Sequence, residues 1–261
     1  MPHESIEVVL VHPDLLGLYG DRGNALALQH VAAQHGIDVR VVEAPAGGPV
    51  PRSADLYLVG GGEDGSMLLS YRLLLEDGGL GTALEHGAPC LAVCAGFQIL
   101  AERFVGPDGV SRAGLGVLDV DCPRLPGNRA VGDVVARGTG PVADPILGFE
   151  NHQGGAVLGP AARPLGRVEV GVGNGFSQHE GAVQGAVVAT YLHGPVLAFN
   201  PQLSNHLLKL VLGRPLPPSD EPSVTRLRRE RLRAAGPLGA MGHPWRHRRR
   251  TGARPVAQHG D

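Results

Sequence analysis

A cysteine, a histidine and a run of three glycines are the residues whose positions in this chain suggest chemistry. Cys94 follows the short apolar run Cys90–Val93 and precedes Ala95-Gly96-Phe97-Gln98, a pattern typical of a sharp turn from a strand into a helix. Such a turn lifts the side chain at the bend clear of the sheet, at a helix N-terminus whose dipole favours a thiolate. The pattern therefore indicates a nucleophilic thiol. A cysteine buried in a core strand is the competing interpretation, because buried thiols are common.

A thiol nucleophile needs a base, and His193 is the best placed of the 12 histidines. His193 ends the apolar run Ala186–Leu192, just as Cys94 ends its own run. Open α/β sheets generally place their ligands at the carboxyl ends of the strands. We therefore expect the two side chains to meet at one edge of one sheet. The alternative is a surface or capping histidine.

The three glycines, Gly60-Gly61-Gly62, follow another apolar run, Leu56–Val59. Glycines let backbone N–H groups turn toward a developing oxyanion, and the residue after a nucleophile commonly supplies the second donor. Gly61 and Ala95 are therefore the predicted oxyanion hole. A plain glycine-rich turn or a phosphate loop are alternatives, although the Walker pattern and the full G-x-G-x-x-G spacing are both absent.

The elements that must position these residues alternate in type over the first hundred residues. Such alternation predicts right-handed βαβ units and a parallel sheet covered on both faces. Beyond Phe104, short apolar runs broken by Gly and Pro predict a β-rich second half, in which residues 148–155 are interpreted as a polar turn. The predicted strands are Ile6–His12, Val39–Val42, Leu56–Val59, Cys90–Val93, Leu115–Val120, Val131–Val135, Val168–Val172 and Ala182–Thr190, and the last helix of this part is Pro201–Leu212.

Composition narrows the class of protein. The chain has 261 residues, of which 43% are hydrophobic, enough for a sizeable core in one domain over residues 1–213. Three cysteines without C-x-x-C spacing argue against a disulfide framework and a zinc site, and suit a reducing cytoplasm. We see no signal peptide and no run of about 20 apolar residues that could cross a bilayer. The sequence therefore predicts a cytoplasmic protein without a transmembrane segment.

The net charge of −2 is the sum of an acidic body and a basic C-terminal tail, residues 214–261. The tail carries +7 and the preceding body −9, and the body shows no basic stripe for nucleic acid. Ser223–Ala235 could form a short basic helix, whereas residues from Gly236 onward have little to bury and are expected to be disordered. The cluster His243–Arg250 could attract anionic lipid or nucleic acid, or be solvated.

The Cys94-Ala95-Gly96-Phe97-Gln98 segment resembles the cysteine elbow of class I glutamine amidotransferases, and Gly60-Gly61-Gly62 resembles their oxyanion loop. In most of that class a Glu lies two residues after the catalytic histidine, but here Gly194-Pro195 follow His193, as in the cobyric-acid-synthase-type branch. Further stretches are similar to glutaminase subunits of this branch that pair with a Mur-ligase-like synthetase. These stretches are residues 18–24 (LYGDRGN), 148–152 (GFENH), 173–175 (GNG) and 180–181 (EG). The resemblance covers about residues 6–213.

The resemblance implies a class I amidotransferase-like α/β fold, with a central mostly parallel sheet flanked by helices, and hydrolysis of L-glutamine to glutamate and ammonia. Cys94 would attack the amide carbon to give a γ-glutamyl thioester, with His193 as base and then as acid. Arg129 lies where the family has its substrate arginine and would bind the α-carboxylate through its fork of donors. From the residues alone, Arg129 would be interpreted as a solvated loop residue. Gln98 is a further candidate for substrate contact.

The resemblance also implies a partner, a MurT-like synthetase of the Mur-ligase family. That partner would use ATP and Mg²⁺ to amidate the α-carboxyl of D-glutamate in lipid II, which would bring the pair near the inner face of the membrane. This chain shows no ATP-binding motif, so no cofactor or metal is expected in it. A stand-alone cysteine hydrolase and an inactive scaffold that binds a partner are the alternative functions.

The missing Glu after His193 leaves the imidazole without an obvious orienting carboxylate. A partner chain could supply that carboxylate, or an internal acid such as Glu150 could. His152 is the alternative base. Cys90 lies within a predicted strand and Cys122 precedes Pro123 away from any base, so both thiols are expected to be inert.

Overall fold

The computed structural model describes residues 4–17, 20–140, 142–218 and 221–235. The helices in these ranges are α1 (Arg22–Ala33), α2 (Asp64–Asp77), α3 (Gly79–Glu85), α4 (Ala95–Leu100), α5 (Val196–Phe199), α6 (Pro201–Leu212) and α7 (Pro222–Ala235). The strands of the first half are β1 (Glu4–Val11), β2 (Ile37–Ala44), β3 (Leu56–Val59), β4 (Cys90–Val93), β5 (Ala101–Val105), β6 (Ser111–Ala113) and β7 (Leu118–Cys122). Those of the second half are β8 (Ala130–Gly138), β9 (Pro145–His152), β10 (Val157–Leu158), β11 (Gly166–Val170), β12 (His179–Glu180), β13 (Ala182–Gln184), β14 (Val187–Thr190) and β15 (Leu192–His193).

A six-stranded sheet in the order β13-β14-β4-β3-β1-β2 forms the centre of the fold. All neighbouring pairs are parallel except β13 and β14. Every residue of β3, β4 and β14 is buried, which explains their continuous apolar sequences: strands of a parallel sheet are covered on both faces. The predicted central, mostly parallel sheet flanked by helices is confirmed.

Two smaller sheets are built from the chain between α4 and α5. Their orders are β10-β7-β5-β6 and β12-β11-β8-β9-β15, which confirms the β-rich second half. The predicted run Ala182–Thr190 is a hairpin, β13–β14, because the chain turns at Gly185, which has a φ of 57°. Strands β7 and β11 are displaced by two or three residues from the predicted runs at Leu115–Val120 and Val168–Val172.

The interpretation of residues 148–155 as a polar turn is wrong. Residues 148–152 are the second half of β9, which pairs antiparallel with β8 along its whole length. Glu150 and His152 are buried in this strand, at 2% and 1% exposure, because backbone groups and one another satisfy their polar atoms. A strand whose buried residues are polar has no apolar alternation, and the sequence therefore conceals it.

Helix α7 occupies the segment for which the sequence suggests a short basic helix. Arg228 donates hydrogen bonds to the carbonyl oxygens of Phe199 and Pro145, and Arg231 pairs with Asp133. Residues 236–261, predicted to be disordered, lie outside the described residues. Across the part of the chain that the structure describes, no helix is long and apolar enough to span a bilayer.

Candidate active site

Cys94 stands at a strained turn between β4 and α4. Its φ of 51° makes it, with His12, one of two non-glycine residues with positive φ in the described ranges. The N–H of Cys94 donates to the Thr190 carbonyl of the neighbouring strand at 2.8 Å, and the N–H of Gly96 donates to the Gly60 carbonyl at 3.1 Å. These bonds tie the turn to β14 on one side and to the glycine loop on the other. The predicted strand-to-helix elbow is therefore present.

His193 lies at the end of β15, three residues beyond the end of β14. Its imidazole is buried at 2% exposure and packs directly on Gly61, where an added Cβ would lie 2.5 Å from His193 Cε1. Thr190 is in register with Val93, the residue before the elbow. The elbow, the glycine loop and the histidine therefore converge at the carboxyl edge of the central sheet, as the sequence predicts.

A buried carboxylate that the sequence did not single out, Asp21, faces the glycine loop. The N–H of Gly61 donates to Asp21 Oδ2 at 2.7 Å, so this predicted oxyanion donor is engaged elsewhere in this structure. Burial raises the pKa of Asp21 to about 7, although the Gly61 N–H acts in the opposite direction. The carboxylate also argues against a phosphate loop, because it would repel a phosphate at the same glycines.

An aspartate just before a helix is typical of an N-cap residue, so the sequence around Asp21 does not indicate a role in the site. Asp21 does occupy the N-cap position of α1, but its side chain makes no capping hydrogen bond to that helix. Gly60 shows why glycine is needed here, since an added Cβ would lie 1.9 Å from the carbonyl oxygen of Leu16. The glycine loop is therefore shaped by close backbone packing as well as by its place beside the elbow.

A pocket opens beside Cys94, with Gln98, Arg124, Arg129 and His152 in its wall. Arg129 Nε donates to Asn151 Oδ1 at 2.5 Å, and Nη2 donates to the Asn151 carbonyl at 2.9 Å. The structure thus places both predicted substrate contacts, Arg129 and Gln98, in the same pocket as the thiol. Arg124 is a second cation there that the sequence did not indicate. Two guanidinium groups make this pocket suited to a carboxylate ligand.

Burial dominates the titration of the thiol and the imidazole. It raises the pKa of Cys94 to about 12; the Asp21 carboxylate also raises it, while Arg129 and the Ala95 N–H lower it. Burial lowers the pKa of His193 to about 4, helped by the charges of His152 and Arg129. The thiol therefore keeps its proton and the imidazole is neutral. The thiolate expected from the helix dipole is not favoured, because α4 is only six residues long and desolvation outweighs its dipole.

His152 and Glu150 form a buried pair beside this pocket. The Glu150 carboxylate accepts N–H groups from Val172 at 2.9 Å and Gly173 at 2.8 Å, and faces His152 Nε2 at 3.4 Å. His152 Nδ1 lies 2.6 Å from the Gly154 carbonyl oxygen and donates to it, since a carbonyl only accepts. Both ring nitrogens of His152 are thus committed, which favours His193 as the base. The oxygens of Glu150 are likewise held by groups other than His193.

The two remaining thiols, Cys90 and Cys122, are buried, and all three cysteines are free of disulfides. Burial raises the pKa of the Cys90 thiol far above its usual value and that of Cys122 to about 12. No group of three or more His, Cys, Asp or Glu side chains in the described ranges could hold a metal ion.

Comparison with known proteins decides the family. The family model of the CobB/CobQ-like glutamine amidotransferase domain matches residues 7–201, which include the elbow, the glycine loop and His193. The chain belongs to this family. It is therefore a glutamine amidotransferase, and the matched region ends at the start of α6.

Two relatives of this amidotransferase align over most of both chains. Both are named lipid II isoglutaminyl synthase (glutamine-hydrolyzing) subunit GatD. The one from Staphylococcus aureus is 36% identical, over 78% of this chain and 84% of its own length. The one from Streptococcus pneumoniae is 30% identical, over 79% and 80%. A cobyric acid synthase from Methylobacterium nodulans is 34% identical, but the alignment covers 64% of this chain and only 34% of that protein.

Solved structures agree on the fold. A crystal structure of a glutamine amidotransferase superposes with a TM-score of 0.52 at 22% identity, covering 78% of this chain and 98% of the other. A glutamine amidotransferase from Thermotoga maritima gives 0.50 at 16% identity, covering 92% and 95%. At these identities the likeness supports the shared α/β architecture and nothing finer.

Proposed function

We propose that this amidotransferase is the glutaminase subunit of a two-subunit enzyme that amidates lipid II during peptidoglycan synthesis. The support for this acceptor is the pair of GatD relatives, which align over about four fifths of this chain. A separate MurT-like synthetase of the Mur-ligase family would bind ATP and Mg²⁺ and amidate the D-glutamate α-carboxyl. Because lipid II is membrane-bound, the pair would work in the cytoplasm at the inner face of the membrane.

The observation that carries the chemistry is the strained Cys94 elbow in a pocket that also contains Arg129. In the proposal, the Arg129 guanidinium binds the α-carboxylate of L-glutamine and Gln98 contributes a polar contact. This anchoring presents the side-chain amide of glutamine to the sulfur of Cys94. Fixing both reactants in this way removes much of the entropic cost of the reaction.

The reaction then uses two side chains of this chain. As the Cys94 sulfur attacks the amide carbon, its proton passes to His193, and the imidazolium returns the proton to the departing nitrogen to release ammonia. The remaining γ-glutamyl thioester is hydrolysed by water, which His193 activates by taking a proton, and glutamate leaves. The ammonia passes to the synthetase.

The oxyanion of the tetrahedral intermediate needs two donors. The N–H of Ala95 lies at the Cys94 sulfur and suits this role. The N–H of Gly61 faces Asp21, so in the proposal the peptide between Gly60 and Gly61 rotates when substrate binds. Because one peptide plane carries both groups, this rotation would release the Gly61–Asp21 bond and the Gly96–Gly60 bond together.

The pKa values of Cys94 and His193 in this chain alone favour a partner that assists proton transfer between them. With pKa values of about 12 for Cys94 and about 4 for His193, proton transfer from sulfur to imidazole is unfavourable. A carboxylate placed against His193 by the synthetase would raise the imidazole pKa and fix its orientation. We therefore expect the assembled pair to hydrolyse glutamine faster than this chain does alone.

A reconstitution with the Mur-ligase-like synthetase of the same organism tests the proposal. The wild-type pair should amidate lipid II with either glutamine or ammonium chloride as nitrogen donor, whereas a pair containing Cys94→Ser should use only ammonium chloride. Cys122→Ser, a buried thiol outside the elbow, is the matched control and should retain both activities. Glutamine-dependent amidation by the Cys94→Ser pair would refute the mechanism. Glutaminase activity without any lipid II amidation would favour a stand-alone hydrolase.

A further inference from the structure

We infer that Thr190 and Glu180 are positioning residues that lock the Cys94 and His193 segments into one fixed arrangement. This inference rests on the proposed glutaminase function, because it assumes that these two segments carry the reaction. Neither side chain is in the wall of the pocket beside Cys94, and both are fully buried at 0% exposure.

The two side chains act where the chain passes from the central sheet to the five-stranded sheet. Strand β14 belongs to the central sheet and ends at Thr190, whereas β15 belongs to the five-stranded sheet and begins at Leu192. The N–H groups of Tyr191 and Leu192 are therefore at a break in the ladder, and they are buried. A buried N–H that has lost its hydration and finds no acceptor destabilises the fold, so side chains must replace the missing strand partner.

Thr190 connects the two segments. Its carbonyl accepts the Cys94 N–H at 2.8 Å, which fixes the elbow. Its hydroxyl oxygen accepts the Leu192 N–H at 3.0 Å, which fixes the residue immediately before His193. One residue thus holds the nucleophile's backbone with its main chain and the histidine's backbone with its side chain.

Glu180 fixes Thr190 in turn. A single carboxylate oxygen, Oε1, accepts the Thr190 hydroxyl at 2.5 Å and the Tyr191 N–H at 3.0 Å. Since the hydroxyl hydrogen is directed to Glu180, the lone pairs of the same oxygen remain for Leu192. Tyr191 is held at its other end as well, because its hydroxyl donates to the Gly155 carbonyl at 2.7 Å.

Burying a carboxylate costs free energy, and one of the two carboxylate oxygens of Glu180 makes no hydrogen bond within the described ranges. Glu180 Oε2 has no hydrogen-bond partner among the described residues. Burial raises the pKa of Glu180 to about 7, against the hydrogen bonds from Thr190 and Tyr191. A core residue needed only for packing would be apolar. The oxygen that orders residues 190–192 accounts for the acid at this position.

Thr190→Val tests the inference because it keeps the shape and removes the hydroxyl. Without an acceptor for the Leu192 N–H, the His193 backbone can move relative to Cys94. A displacement of about 1 Å at a reacting pair can cost about 10²-fold in rate, so we expect kcat to fall by about that factor. The KM for glutamine should stay within about twofold, because Arg129, in the loop before β8, and Gln98, in α4, both lie outside residues 190–192. Thr190→Ser restores the hydroxyl and should restore kcat.

Thr139→Val is the matched control. It removes the same group from a threonine whose hydroxyl donates to the Pro164 carbonyl at 2.7 Å, outside the site. We expect it to lower the melting temperature without changing kcat. All rates are measured with the assembled pair and divided by the fraction of folded protein, so that a loss of stability alone does not count as a loss of rate.

Glu180 provides the second pair of variants. Glu180→Gln keeps an acceptor oxygen for Thr190 and Tyr191 and should retain most of kcat, whereas Glu180→Ala should lose kcat as Thr190→Val does. If Thr190→Val does not fold, Glu180→Asp replaces it, since the shortened side chain withdraws the acceptor but keeps the charge; its kcat should fall with KM unchanged.

Two results separate this inference from the proposed function. If Cys94→Ser and His193→Ala are inactive while Thr190→Val, or Glu180→Asp in its place, keeps wild-type kcat per folded molecule, the positioning inference is wrong and the function stands. If Cys94→Ser or His193→Ala retains glutaminase activity, the proposed function fails. Equal kcat losses in Thr190→Val and Thr139→Val would also overturn the inference, because the effect would then not be specific to the site.

Discussion

At the scale of single residues, the site depends on one glycine between two ionisable side chains. The His193 ring packs against the α-carbon of Gly61, and the Gly61 N–H donates a hydrogen bond to Asp21. From the sequence, Gly61 could be assigned to an oxyanion loop, but its bond to Asp21 could not be foreseen. The reason is that Asp21 and Gly61 are far apart in sequence, and no local pattern reports a contact that only the tertiary fold creates.

Gly61→Ala should abolish most glutamine hydrolysis. The added methyl group would lie 2.5 Å from His193 Cε1, so the imidazole must move away from the elbow. We expect glutaminase kcat to fall by about 10²-fold or more in a steady-state assay of the assembled pair. Gly65→Ala is the control, because an added Cβ at Gly65 meets no atom within 4 Å. Wild-type kcat in Gly61→Ala would show that His193 does not act from this position.

Arg129→Lys should weaken substrate binding more than the chemical step. Lysine keeps the positive charge but loses the planar fork that binds a carboxylate through two donors. A charge-assisted hydrogen bond contributes about 1.5–3 kcal/mol, so we expect the KM for glutamine to rise about tenfold or more. Arg137→Lys, at the far end of β8 where Arg137 pairs with Glu169, should leave KM unchanged. An unchanged KM in Arg129→Lys would remove Arg129 from the substrate site.

At the scale of elements, the sequence predicts the strands that are apolar runs, but it does not reveal a strand whose buried residues are polar. Strands β3 and β4 have the predicted bounds because every residue in them is buried and apolar. The second half of β9 was missed because Glu150 and His152 are buried through hydrogen bonds. The boundary between β13 and β14 was missed because a two-residue turn at Gly185 interrupts one long apolar run. The candidate residues themselves were identifiable, since Cys94 and His193 both end apolar strands.

The docking of α7 on the body gives a prediction about stability. Arg228 donates to two carbonyl oxygens, of Phe199 and Pro145, and to the side chain of Asn200. Arg228→Ala should lower the free energy of unfolding by about 1–3 kcal/mol, because those acceptors lose a charged donor. Arg229→Ala, on the exposed side of the same helix, should change it by less than about 0.5 kcal/mol. Urea denaturation of both variants measures the difference, and equal midpoints would mean that α7 does not stabilise the body.

At the scale of the whole molecule, buried acids and a buried histidine oppose each other in the dependence of stability on pH. Burial raises the pKa of Asp21 from 3.8 to about 7 and that of Glu180 from 4.5 to about 7. The folded chain therefore holds protons that the unfolded chain has lost, and these two acids reduce stability as the pH rises toward about 7. His193, with its pKa lowered to about 4, acts in the opposite sense between about pH 4 and 6.5.

Asp21→Asn should therefore make folding stability depend less on pH over part of the pH range. The amide cannot ionise, so the loss of stability that Asp21 causes between about pH 4 and 7 disappears. We expect the melting temperature to fall less between pH 5 and pH 8 in Asp21→Asn than in the wild type. Asp119→Asn is the control, because the Asp119 carboxylate accepts the Ala161 N–H outside the site. A fall as steep as that of the wild type would contradict the assignment of a raised pKa to Asp21.

The central claim is that Cys94 is the glutamine-attacking nucleophile, and covalent labelling tests it most directly. The assembled pair is incubated with a glutamine-analogue electrophile, with and without excess L-glutamine, and the adduct is mapped by mass spectrometry. We predict a single adduct on Cys94 that glutamine suppresses and that forms more slowly in His193→Ala. An adduct on Cys90 or Cys122, labelling of Cys94 that glutamine does not affect, or no labelling at all would contradict the claim.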